Sequence, residues 1–442
     1  GHLWAPAPLY PDFFAFEHMI VENGKWFGKY PPLFPLLLSI GVRAGVPWMV
    51  NPLIGALSGL TLFFLTTRIT GSRGSGLLAW LLLLTSPFFL LLNAGMMAHG
   101  LALLLTLLFI HLGWKGLEQN KASWAALSGL CMGGLILTRP FTAFLVFIPV
   151  TLYIVILNVQ KHRFMGCLKY MAAMAMGIVP VLLLSVLWHK LYLPENRHFL
   201  DFLYSSYNVT DTLGFGADKG KGWLKTWGSW GHTPAKGFRS IYNYLSYTAQ
   251  HLFGWPLGLS FAFVGIPLFF GRRKAVCGIL FSTFCFLVVG HMFYWATQHL
   301  GYGARYWFSG MAGLLVPTAL GIKLFRDDAA GTSLEDPARK QRVSFFMVLV
   351  LMGLTAWNLA LYLPQRLEEA HCYGNVSAKL ENAAKDLHLE HSLVFVKTEN
   401  LQYNDGFFMN DPFMKAGVIF ARDLGEKNQI LMNQYPEYDI YL

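Results

Sequence analysis

ASWAALSGLCMGGLILTRPFTAFLVFIPVTLYIVILN, residues 122–158, carries one charge in its whole length, Arg139. A bilayer core ~30 Å thick takes roughly 17–25 apolar residues per helix. The stretch therefore reads as two spans, 122–139 and 140–158, folded back on each other at Leu137-Thr-Arg-Pro140. Worked outward, the same test finds further segments at approximately 47–67, 75–95, 97–114, 166–190, 255–271, 275–296, 308–325 and 343–362, the ones near 255 and 308 being the shortest. Residues 33–46 are apolar but too short to cross, and read as interfacial or re-entrant. The expected fold class is an all-α integral membrane bundle of about ten transmembrane helices.

Composition agrees. Of 442 residues, 55% are hydrophobic and 13% charged, where a soluble domain carries about 25% charged residues. The missing polar surface implies lipid around the chain. A net charge of +10 would raise nucleic acid as a partner in a soluble protein. Here the cations sit in short loops between apolar runs, so nucleic acid is not expected. Cys131, Cys167, Cys277, Cys285 and Cys372 show no metal-ligand spacing and no disulfide framework. P-loop, GxGxxG, GxSxG and zinc motifs are all missing, so no cofactor is implied, and nothing speaks for a divalent metal.

Loop charge gives orientation. One set of alternate loops holds Arg68 and Arg73, then Lys115 and Lys121, then Lys161 and Arg163, then Arg272, Arg273 and Lys274, and last Lys323, Arg326, Arg339, Lys340 and Arg342. The other short loops hold only Arg139 and Arg305. The positive-inside rule places the first set in the cytoplasm. Residues 1–46, 191–254 and 363–442 then lie outside, between transmembrane blocks at 47–190 and 255–362. Within 191–254, Thr233-Pro234 reads as an N-cap with proline at the first helical position. Phe238, Ile241, Leu245, Ala249 and Leu252 come next at helical spacing, as in a helix lying on the membrane surface. The tail mixes a helical stretch at 376–387 with strand-like runs 393–397 and 417–421, a small external α/β appendage.

Residues able to carry chemistry gather on the external side. An arginine at a helix centre costs about 2.5–3.5 kcal/mol on insertion scales, which singles out Arg139; its plainer reading is a side chain snorkelling to the interface. Arg305 lies in Gly301-Tyr-Gly-Ala-Arg-Tyr306-Trp, where glycine permits close approach and the aromatics could floor a sugar pocket. Lys29 and Tyr30 precede Pro31-Pro32 where the chain enters the membrane, at the level of lipid phosphates. His99 and His232 are external-side histidines whose plainer reading is structural. The external carboxylates, Asp12 and Glu17 among them, form no diagnostic pair.

Lys29-Tyr-Pro-Pro-Leu-Phe-Pro, Thr85-Ser-Pro-Phe-Phe, Leu137-Thr-Arg-Pro, His232-Thr-Pro, Leu252-Phe-Gly-Trp-Pro and Tyr302-Gly-Ala-Arg-Tyr occur in an order that resembles bacterial GT-C membrane glycosyltransferases, of the protein-mannosyltransferase and lipid A aminoarabinose-transferase type. The resemblance spans about residues 1–325. It implies transfer of a sugar from a polyprenyl-phosphate donor to an acceptor hydroxyl on protein, lipid A or glycan, at the external face of an inner or plasma membrane. It makes Lys29 the residue that contacts donor phosphate, with Tyr30, His99, Arg139, His232, Arg305 and Tyr306 around the substrate. The family's acidic motif comes just after the first transmembrane helix, and this chain opens downstream of it. The expectation is that the catalytic base lies upstream of Gly1, with Asp12 and Glu17 as the weaker candidates within that loop. Two rivals stay open: a transporter or flippase of lipid-linked saccharide, and a non-catalytic polysaccharide-assembly subunit. A transporter of this kind calls for inverted repeats and broken helices at the midplane.

Overall fold

The computed structural model describes residues 4–14, 19–28, 30–160, 164–192, 213–219, 231–271, 273–298, 303–329, 337–371, 378–397 and 410–442. The chain opens with a small antiparallel sheet of β1 (Ala5–Pro6), β2 (Met19–Glu22) and β3 (Lys25–Gly28), in the order β1-β3-β2. Pro31 and Pro32 then lead into α1 (Leu33–Arg43), the short apolar helix. α2 (Val50–Thr70), α3 (Arg73–Leu84), α4 (Pro87–Ala94), α5 (His99–Gln119), α6 (Ala122–Ile136), α7 (Pro140–Gln160) and α8 (Phe164–Tyr192) form the first block of the bundle. After the long connection come α9 (Pro234–His251), α10 (Ile266–Phe269), α11 (Lys274–His291), α12 (Ala312–Ala329), α13 (Pro337–Trp357) and, past a π-helical turn at Asn358–Tyr362, α14 (Leu363–Ala370).

Among the described residues six helices are long and apolar enough to cross a membrane, or up to eight if each of two bent pairs is one span. This is an integral, multi-pass membrane protein. The differences from the sequence reading have local causes. The segment expected at 75–95 is a pair, α3 and α4, bent by 57°, because Ser86 caps the new helix by accepting from the Phe89 N–H and Pro87 cannot continue the old one. The segment at 255–271 is no straight span. It breaks into a 3-10 turn at Pro256–Phe261 and the four-residue α10, turned 102° from α9. Pro256 and the left-handed Gly258 (φ 68°) stop any regular helix there. The segment at 308–325 splits into a 3-10 turn, Arg305–Gly310, and α12, whose residues 312–322 are all buried. A helix apolar all round is enclosed by its neighbours, and α12 is the axis of the core with α11 and α3 against it.

Helices α6 and α8 approach closely because small residues face each other. A methyl group on Gly129 would meet the Met174 carbonyl, and one on Gly177 the Ala126 carbonyl.

α9 is capped by Thr233, whose hydroxyl accepts from the Lys236 N–H. Its fully buried stripe is Gly237, Ser240, Tyr244 and Thr248, one position round from the apolar set in the sequence, while Phe238 and Tyr242 are exposed. The helix buries Tyr244 with small and polar residues against the protein and leaves Phe238 and Tyr242 exposed.

The bundle has two chemically distinct ends. At one, Arg68 pairs with Glu118 at 2.7 Å, Trp114 stacks on Tyr153, and Arg273 lies near Tyr153. These are members of the cation-rich loops. At the other, the Leu33 N–H donates to the Leu137 carbonyl, and the Asn51 amide donates to the carbonyls of Gly95 and Met97. The cation-poor loops therefore converge on one end.

The tail joins that end. α15 (Lys379–Asp386), β4 (Ser392–Val396), β5 (Val418–Arg422), α16 (Asn428–Gln434) and β6 (Asp439–Tyr441) build a parallel sheet in the order β5-β4-β6. Phe13, Phe14 and Trp26 bury themselves against Leu393, Phe395, Ile419, Ala421 and Leu431 of this unit. A cleft of about 150 Å³ between Pro6–Tyr10 and Met414, Leu431 and Tyr435 marks the seam.

Candidate functional site

At the cation-poor end, the α6–α7 turn, the start of α5, the end of α11 and the turn at Arg305 meet around one ring, Tyr306. The Arg139 guanidinium lies 5.2 Å from its centroid and that of Arg305 4.9 Å. Arg305 also donates to the Tyr306 hydroxyl at 3.4 Å. Arg139 reaches His99 Nε2 at 3.3 Å. Since arginine can only donate, that nitrogen is the acceptor and the His99 proton is on Nδ1. The ring also bonds the Arg305 backbone, so one histidine ties the two arginine loops together.

Burial is graded from mouth to floor. Tyr30 is 52% exposed, the two arginines are partly buried, and His99 and His291 are 5% and 2% exposed. Burial pulls the Arg139 pKa below its ordinary value, from so high a start that it stays a cation. Two cations facing one ring repel each other, and Arg139 feels the charge of Arg305 directly. An anion between them would relieve that cost. The arrangement sets two guanidinium groups against one aromatic wall.

The structure brings together His99, Arg139, Arg305 and Tyr306, with Tyr30 close enough to both arginines to feel their charge. Lys29 and Glu17 fall outside the described residues. Asp12 lies exposed in the 3-10 turn Pro11–Phe13, which packs on β5 of the tail rather than beside the arginines. His232 goes elsewhere too: its Nε2 bonds the Met292 carbonyl at 2.7 Å, its backbone pairs with Gly216, and its ring lies against Phe215. It is a loop anchor one residue from the floor of the pocket.

Four residues of the pocket carried no flag in the sequence. His291 stacks on Tyr306 at 5.3 Å, Tyr294 meets the same ring edge-on at 5.5 Å, and Phe141 packs on His291. Tyr244, fully buried, supports the neighbouring Trp307. A histidine in the last turn of an otherwise apolar span was the available signal for His291. Among the described residues no group of three or more His, Cys, Asp or Glu side chains comes together that could hold a metal ion.

Residues 30–188 match the dolichyl-phosphate-mannose-protein mannosyltransferase family. No curated protein matches the chain by sequence. The whole structure is similar to ArnT from Cupriavidus metallidurans in the apo state, with a TM-score of 0.52 at 13% identity, over 98% of this chain and 81% of that one. It is equally similar to ArnT bound to undecaprenyl phosphate, with a TM-score of 0.51 at 12% identity, over 93% and 79%. The chain shares its fold with these two structures. The family match begins at Tyr30 and takes in His99 and Arg139, while the Arg305 turn lies beyond it and joins these residues by folding.

The His232 anchor makes a testable pH effect. Burial pulls its pKa below the ordinary 6.5, and Lys236 and Lys219 push the same way, while the bond to Met292 opposes them. The unfolded loop therefore binds more protons than the docked one just below pH 6.5, and docking weakens as pH falls. Hydrogen exchange at 213–219 and 231–233, corrected for intrinsic rate, is expected to be slow at pH 7.5 and several-fold faster at pH 5. His232→Asn should remove the pH dependence; an equal response in that variant would assign it to another group.

Proposed function

We propose that this protein is a membrane glycosyltransferase that takes a sugar from a polyprenyl-phosphate donor and passes it to an acceptor hydroxyl at the external face. The observation that carries the reading is the pair Arg139 and Arg305 over Tyr306, at the end of the bundle whose loops are poor in cations. The positive-inside rule makes that end external. In the reaction the acceptor oxygen attacks the anomeric carbon, the bond from that carbon to the phosphate oxygen breaks, and polyprenyl phosphate leaves. Negative charge grows on the departing phosphate, where fixed guanidinium groups stabilise it most effectively. The greasy tail stays in lipid beside the bundle, and Tyr294, Tyr306 and Tyr30 offer rings and hydroxyls to the sugar. The acceptor's proton needs a base, a part we assign to a carboxylate outside the described residues.

Undecaprenyl phosphate added to the purified protein in detergent should raise its unfolding temperature by several degrees. Undecaprenol has the same tail without the phosphate and should do nothing. Equal shifts from both would mean a lipid groove without an anion pocket. Product mass spectrometry with the purified protein and a set of polyprenyl-phosphate sugars then identifies the sugar and acceptor.

A further inference from the structure

A second polar cluster links the Arg305 turn to the last span. Gly303 sits in the left-handed region (φ 66°), and a methyl group on it would collide with the ring of Tyr247. The Tyr247 ring is therefore the surface on which the turn rests. Tyr247 in turn packs on His251, with ring centroids 3.9 Å apart, and His251 Nδ1 is hydrogen-bonded to the Tyr362 hydroxyl. Tyr362 closes the π-helical turn Asn358–Tyr362. A π-turn inserts a residue and rotates the rest of the helix beyond it, and such turns recur at functional sites. This one is fixed from both sides. The Asn358 amide donates to the Thr85 carbonyl at 2.6 Å, at the α3–α4 bend, and Asn358 and Tyr362 close over Gly254 so tightly that no side chain would fit there.

We propose that Tyr362, His251 and Tyr247 form a brace that sets the position of Arg305 for the reaction. They are positioning residues, whose effect passes through the turn at Gly303. The proposal rests on the transferase reading for its consequence in turnover, but its structural half stands alone. Without the π-turn the Tyr362 ring would point about a quarter-turn away, and His251 would lose its partner. The last span, which carries the α/β tail on its far end, thereby reaches the arginine pocket.

Tyr362→Phe in the full chain removes one hydroxyl and keeps the ring. We expect hydrogen exchange at 303–310 to rise at least fivefold, with exchange in α5 and α6 unchanged. Turnover of polyprenyl-phosphate sugar should fall about tenfold. In an Arg305→Lys background the same change should cost less than twofold, because the group being positioned has already been altered. Unchanged exchange at 303–310 overturns the brace whatever turnover does. Raised exchange with normal turnover, or an equal fold-loss in both backgrounds, overturns its role in the reaction. If the wild-type protein transfers no sugar from any such donor, the transferase reading fails, and the exchange measurement alone still decides the brace.

Discussion

Arg139→Ala is expected to lower sugar transfer about a hundredfold, within the ~10²–10³ lost in kcat when one preorganised group at a developing oxyanion is removed. The side chain sits in the turn between α6 and α7, partly buried, over the Tyr306 face and against His99. Its position is set from three directions. The Leu33 N–H grips the Leu137 carbonyl, the Arg139 N–H donates to the Leu135 carbonyl at 2.7 Å, and His99 accepts from the guanidinium. Alanine leaves all of the backbone bonds in place, so the change should register in chemistry and not in folding. Arg139→Lys should recover only part of the loss, since a point charge on a flexible stem cannot both lie on the ring and bond His99. Initial rates with a polyprenyl-phosphate sugar, alongside unfolding temperature in detergent, separate the two effects. Normal turnover in Arg139→Ala would leave the arginine a snorkelling side chain and remove the anion pocket.

How much of this was legible in the sequence depends on the physical origin of each signal. Span positions come from local hydrophobicity, and the charge pattern of the loops sorts the chain into two ends. The structure places Arg68 with Glu118 at one and Arg139 with His99 at the other. Arg139 stands out because a cation at the end of an apolar span is costly, and Arg305 because it lies in a short loop of glycines and aromatics. What held them together was not legible. Residues 99, 139, 291 and 305 come from separate elements, and only the packing of α5, α7 and α11 about the Arg305–Gly310 turn brings them to one ring. His291 and Tyr294 look like any aromatic belt until Tyr306 is seen between them. The bend between α3 and α4 was written in Ser86-Pro87, but an apolar run of the right length masked it. On α9 the periodicity marked an apolar side for the membrane surface but not the buried side: Phe238 is exposed, while Tyr244 is fully buried and Ile241 and Leu245 pack against the core.

Trp26→Ala should release the tail. Trp26 occupies the middle strand of the N-terminal sheet, opposite Val21 and Ala5, and is 6% exposed. The surface that covers it belongs to a hydrophobic cluster shared with Phe13, Phe14 and the tail residues Leu393, Phe395, Ile419, Ala421 and Leu431. That cluster is separate from the main core of the bundle, so a loss there opens one unit and leaves the helices folded. Truncating a buried tryptophan costs about 3–5 kcal/mol, enough to shift such a local contact by about two to four orders of magnitude. Hydrogen exchange in 19–28, 392–396 and 418–422 should therefore rise together while α5 to α7 stay protected. Because Tyr30 lies two residues beyond β3, a loosened sheet also frees the lip of the pocket, and affinity for the donor should drop several-fold with little change in the turnover of bound donor. Protection lost in the tail strands but kept in 19–28 would show that the two sheets are held independently. The tail would then have no physical route to the mouth of the pocket through this contact.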